Sequence, residues 1–143
     1  GELSSTQVSG FTPTQLSNLT TTSLSALDTT QVHALSGTQL RGLTATQVRG
    51  LNATDIGELT TTQLGALTST QIGALTTTVI AALTTTQMTG FSTTQIPGLT
   101  TTQIDNLSTT NISALNFSQA EAFTGAQVQS FDDPQILAYL GIA

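Results

Sequence analysis

Only three basic side chains are present in these 143 residues, His33, Arg41 and Arg49, and they recur at intervals of eight. Brought side by side they would form a short cationic row, able to take an anion or an acidic group of a protein partner. The eight acids are scattered, at Glu2, Asp28, Asp55, Glu58, Asp105, Glu121, Asp132 and Asp133. Cysteine is absent, which excludes disulfides, a thiolate nucleophile and thiolate-based zinc sites. One histidine cannot build a multi-histidine metal site, and the sequence holds neither a glycine-rich phosphate loop nor a nucleophile elbow. This inventory predicts no enzyme, no catalytic residue, no metal and no cofactor. A net charge of −6 with no lysine at all argues against a nucleic-acid backbone as partner.

The spacing of the basic residues belongs to a repeat that organises almost the whole chain. An apolar residue returns every eighth position from Leu3 through Phe11, Leu19 and Leu27 to Phe131, giving 17 octads over residues 3–138. With that residue as position 1, position 2 is always Ser, Thr, Asp or Asn. Position 5 is Gln in 13 octads, the departures being Ser23, Asp55, Val79 and Asn111. Position 6 is always apolar, and position 8 is Gly, Ala, Asn or Ser except at Glu58. His33, Arg41 and Arg49 occupy position 7. At 7% charged residues the composition alone would suit a disordered linker. A linker has no reason to keep two apolar positions in register, whereas a chain that buries them does.

One continuous helix cannot use this pattern, because eight residues at about 100° each rotate the apolar stripe by about 80° per octad. The helix must restart in every repeat. Position 2 supplies an N-cap, and Gln three residues later completes a capping box by accepting the cap's own N–H. Positions 1 and 6 then become the pair flanking the helix start that packs as a hydrophobic staple, for example Leu59 with Leu64. Pro13 and Pro134 fall in the first turn, where proline is tolerated, while Pro97 falls at the fifth helical residue and predicts a distorted repeat. The small residue at position 8 suits a helix end where Gly or Asn turns the backbone, or where Ala lets helices approach.

The expected fold is therefore all-α, a solenoid or superhelix of 17 short capped helices of one and a half to two turns, one per octad. The alternative is a β-solenoid, which the Thr, Ile and Val content favours, but positions 1 and 6 have opposite parity and would face opposite sides of a strand. Gly1–Glu2 reads as an expression remnant or flank, residues 3–138 as one solenoid, and residues 115–143 as its degenerate C-terminal cap. Four of the six aromatics, Phe117, Phe123, Phe131 and Tyr139, gather in that last stretch, which offers a surface for self-association. No stretch is apolar enough to span a membrane and no signal peptide is present, so export signals would lie outside these residues.

Tandem runs such as Leu59–Gln87, LTTTQLGALTSTQIGALTTTVIAALTTTQ, resemble the octapeptide tracts of long secreted or surface-exposed bacterial proteins, adhesin-like and calcium-toxin-related chains among them. The resemblance covers Leu3 to Ala138 and is one of repeat style; the Gly-Asp calcium motif of the wider class is missing. It implies a non-catalytic spacer, stalk or display scaffold on an extracellular or cell-surface protein, with neighbouring repeats of a longer chain as its partners. A binding solenoid using the variable position 7 is the alternative, with an unidentified protein or ligand as partner. Rows of Thr at position 4, present in the first 14 octads, are similar to the Thr arrays of ice-binding solenoids. An engineered repeat protein is a further alternative.

Overall fold

The computed structural model describes residues 3–142; the flank at Gly1–Glu2 and the last residue, Ala143, lie outside them. Among the described residues every octad forms one helical element. Sixteen are α-helices, from Ser5–Ser9 at one end to Asp133–Leu140 at the other, and octad 12 forms a 3-10 helix, Ile96–Gly98. No strand occurs among the described residues, so the β-solenoid alternative is excluded. The α-helices have four to six residues, apart from the last with eight, and most are shorter than expected.

Local chemistry explains both ends of each helix. All sixteen α-helices begin with a position-2 side chain accepting the backbone N–H of position 5, and thirteen complete the capping box. The three without it have Ser23, Val79 or Asn111 at position 5. Closure comes three residues after position 6, where the next Leu donates its N–H back to the position-6 carbonyl, as in Leu67 to Leu64 and Leu75 to Ile72, both 3.1 Å. The chain then runs extended through the next positions 1 and 2, such as Leu75 (φ −59°, ψ 145°) and Thr76 (φ −74°, ψ 155°), and this pair redirects it. No described residue has positive φ. The small residues at position 8 therefore do not turn the backbone through a left-handed conformation; of the two roles expected of them, close approach of helices is the one present.

Pro97 has its predicted effect. Octad 12 replaces the α-helix by a turn at 93–95 followed by the 3-10 helix, since proline has no N–H to continue the ladder.

The helices wind into a superhelix whose successive turns stack. Helices in close contact are three octads apart throughout, as with octads 1 and 4, 6 and 9, or 14 and 17. Side-chain bonds between turns span 28 and 31 residues, so one turn takes between three and four octads. Positions 1 and 6 line the interior as one continuous core. Position 6 is the deeper of the two: Leu64, Ile72, Ile80, Met88, Ile96, Ile104 and Ile112 are all fully buried. Phe11, Leu19, Leu27 and Leu51 at position 1 are only partly covered.

Position 8 places the smallest residues where turns approach most closely. A Cβ added to Gly98 would lie 2.7 Å from Ser69 Cα, and one added to Gly42 would lie 2.5 Å from Pro13 Cβ. The pairing also works in reverse, since a Cβ at Gly37 would sit 2.8 Å from the Cβ of Ala66. Each of these pairs is offset by 29 residues, so position 8 of one octad faces position 3 of the octad three before it. At the tightest approaches Pro13, Thr21, Thr61 and Ser69 face Gly42, Gly50, Gly90 and Gly98, and Gly37 faces Ala66.

Candidate functional site

The most elaborate polar arrangement in the molecule is a ladder of buried amides between turns. Gln71 is typical: its Oε1 accepts the N–H of Thr68 at 2.8 Å, closing its own capping box. Its Nε2 donates to the carbonyls of Leu40 and Leu43, each at 2.8 Å, in the preceding turn. The same two-carbonyl bridge is made by Gln39, Gln47, Gln63, Gln95, Gln103, Gln127 and Gln135. These glutamines are buried to between 2% and 6% exposure, yet no buried side-chain polar atom among the described residues lacks a partner. A low-dielectric interior strengthens such bonds and would penalise any left open.

This double duty explains why the residue is Gln. Glu would complete a capping box equally well, but it has no N–H to give two backbone carbonyls. Sequence reasoning identified the cap and missed the bridge, although the absence of Glu from position 5 in all 17 octads was a readable sign of a required donor. In the first turn, which has no described turn before it, Gln7 and Gln15 are exposed and make only their capping contacts.

Where Gln is missing, the joint is rebuilt differently. Asp55 keeps the box by accepting the N–H of Asn52 at 2.9 Å, and Ser25 from the preceding turn donates its hydroxyl to the Asp55 carboxylate at 2.8 Å. Donor and acceptor have changed sides. Thr29 adds a hydroxyl bond to Glu58 at 3.1 Å. A cavity of about 30 Å³ remains in this region, lined by Leu24, Leu27, Leu51, Asp55, Glu58 and neighbouring core leucines, roughly the space of one water molecule. Asn111 is one methylene shorter than Gln and reaches a single carbonyl, that of Leu83 at 2.9 Å. Val79 is buried and bridges nothing.

The three basic residues are exposed, but they do not share one flat face. With three to four octads per turn, consecutive octads are separated by about a quarter turn or slightly more around the axis, so His33, Arg41 and Arg49 follow an arc along one turn. Two of them stitch that turn to the next. His33 Nε2 lies 2.9 Å from the carbonyl oxygen of Glu58, and Arg41 Nε donates to the carbonyl of Ala66 at 2.9 Å.

At the C-terminal end, the rings of Phe123 and Phe131 meet edge to face at 5.2 Å, and Tyr139 lies 5.6 Å from Phe131 and 6.2 Å from Phe123. Gln119, Gln127 and Gln135 still bridge to the preceding turn beneath this cluster. Leu137 and Leu140 beside it are 72% and 59% exposed. Among the described residues there is no cluster of three or more His, Cys, Asp or Glu side chains placed to hold a metal. No described helix is long and apolar enough to cross a membrane.

This geometry defines an all-α solenoid of tandem octapeptide repeats. Residues 37–69, 46–77 and 69–101 match the ALTTAQ repeat, and the same octad frame continues on both sides of the matched stretch. No curated protein and no solved structure matches the chain.

Proposed function

We propose that this solenoid is a non-catalytic structural repeat module, a spacer, stalk or display scaffold within a larger extracellular bacterial protein. The observation that carries this reading is the amide ladder. Each turn's glutamines are consumed by the turn before, so the molecule's most specific polar chemistry is directed at holding its own length and winding. A turn adds to the stack without altering those below it, the nearest-neighbour logic of solenoids. The acidic, Thr-rich exterior without lysine or cysteine fits an exported surface, and residues 115–143 serve as the terminal cap, with their aromatic cluster and exposed Leu137 and Leu140 as the contact for self-association.

Length is the property to test. Inserting seven octads after Leu75 in register adds two turns, and small-angle scattering should show the long dimension growing by about 16–20 Å at an interhelical spacing of about 8–10 Å, with the cross-section unchanged. Growth of the cross-section instead would refute the spacer reading.

A second reading, binding through position 7, is favoured by the exposure of His33, Arg41 and Arg49. Arg41 and Arg49 replaced together by Gln should then abolish capture of an acidic protein partner while the fold stays intact.

A further inference from the structure

A shallow, solvent-open groove lies around the side chain of Phe117. A space of about 530 Å³ lies between the start of octad 12 and octad 15, lined by Phe91, Thr93, Asn116, Phe117 and Ser118. Phe117 is 59% exposed, the only exposed aromatic side chain among the described residues. It occupies position 3, which is Ser, Thr, Ala, Gly, Pro or Asp in the other sixteen octads. Exposing a phenyl ring there forgoes the stabilisation its burial would give.

The groups around the ring are polar, neutral and available. Asn116 uses its Oδ1 to accept the N–H of Gln119 at 3.0 Å, and its amide nitrogen makes no hydrogen bond within the described chain. The hydroxyls of Thr93 and Ser118 make no hydrogen bond within the described chain, and that of Ser92 is paired with Thr94 at 2.9 Å. Gln119 holds the groove together by donating to the carbonyls of Thr89 and Phe91 at 2.9 and 2.7 Å. No charged residue lines the space, so it has nothing to offer a phosphate, a carboxylate or a cation. No aliphatic side chain lines it either, which fits neither a lipid tail nor the several apolar anchors of a protein hot spot. The ligand chemistry that matches one aromatic platform ringed by hydroxyl and amide groups is a neutral ring with an apolar C–H face and a hydroxyl-rich rim.

We propose that this groove is a binding site for a neutral saccharide, its C–H face stacked on Phe117 and its hydroxyls bonded to Asn116, Ser118 and Thr93. The inference is independent of the spacer role and supplies a ligand to a molecule otherwise read as architecture.

The test titrates the full chain with neutral gluco-, galacto-, manno- and chito-oligosaccharides and follows backbone amide shifts. Saturable shifts centred on Thr93, Asn116, Phe117 and Ser118 are expected for at least one of them. Phe117→Ala should weaken that binding at least tenfold with the melting midpoint unchanged, and Phe117→Trp should retain it. The proposal is overturned if no neutral glycan produces saturable shifts, if Phe117→Ala binds as well as the parent, or if the shifts fall on the arc of His33, Arg41 and Arg49.

Discussion

Replacing Gln71 by Glu changes one NH2 into one oxygen and isolates the bridge from the cap. The carboxylate can still accept the N–H of Thr68, so the capping box survives. What is lost is the pair of bonds to the Leu40 and Leu43 carbonyls, each worth about 1 kcal/mol net. In their place an oxygen bearing negative charge faces two carbonyl oxygens at a site only 3% exposed. Burying that charge without a partner adds a further penalty, so the total cost is about 3–5 kcal/mol. Gln15→Glu is the control, since Gln15 is exposed and has no carbonyl of an earlier turn to lose; its cost should stay within about 0.5 kcal/mol. Urea unfolding followed by circular dichroism reads both. The sign of the pH effect is also fixed. Burial against carbonyls raises the introduced carboxyl's folded pKa above its unfolded value, so the protonated form favours folding. The deficit of Gln71→Glu should therefore shrink at pH below the unfolded value of about 4.3 and grow as pH rises through the folded one. Equal midpoints for the two variants at neutral pH would refute the ladder as a source of stability.

Four other substitutions probe the remaining parts of the repeat. Asp55→Gln restores donors for the carbonyls of Leu24 and Leu27 but removes the acceptor for Ser25, so the urea midpoint should rise by a net equivalent of about 1 kcal/mol, and by more in a Ser25→Ala background. Gly98→Ala drives a Cβ against the Ser69 backbone and should destabilise by about 1–3 kcal/mol. Gly57→Ala meets nothing within 4 Å and should stabilise by about 0.5–1 kcal/mol in thermal melts. Thr68→Ala removes the acceptor for Gln71 N at 3.2 Å and should cost about 1 kcal/mol, against no measurable change for Thr70→Ala, an exposed position-4 side chain with no bond.

The sequence disclosed what depends on neighbours within one octad. Caps, boxes, the buried pair at positions 1 and 6, and the broken helix at Pro97 all follow from contacts three to five residues apart, and all are present in the structure. Winding depends on contacts 24–31 residues apart, where the octad is silent about how many repeats close a turn. The glycines show the difference. Gly98 and Gly42 looked like helix terminators within the octad, but their backbones are right-handed or extended and their small size is needed by Ser69 and Pro13 in another turn. The basic residues were misleading for the same reason: adjacency in the repeat suggested one row, and the superhelix separates them around its axis.

The four departures from Gln carry the winding period in plain sight. Ser23, Asp55, Val79 and Asn111 belong to octads 3, 7, 10 and 14, spaced by four, three and four octads. In a superhelix of three to four octads per turn, each such step returns to the same side, so all four lie along one line parallel to the axis. Along that line the two-carbonyl bridge is replaced by a reversed hydroxyl–carboxylate bond at Asp55, by packing at Val79 and by a single amide bond at Asn111. The cavity beside Asp55 lies on the same line. Neighbouring turns are thus joined by two amide bonds at most other rungs and by fewer here, which gives the superhelix one side with sparser hydrogen bonding between turns. A repeat drifting at random would scatter its exceptions around the axis. Alignment on one side means that the environment of position 5 differs systematically with direction, and the gain from Asp55→Gln measures how much stability that side forgoes.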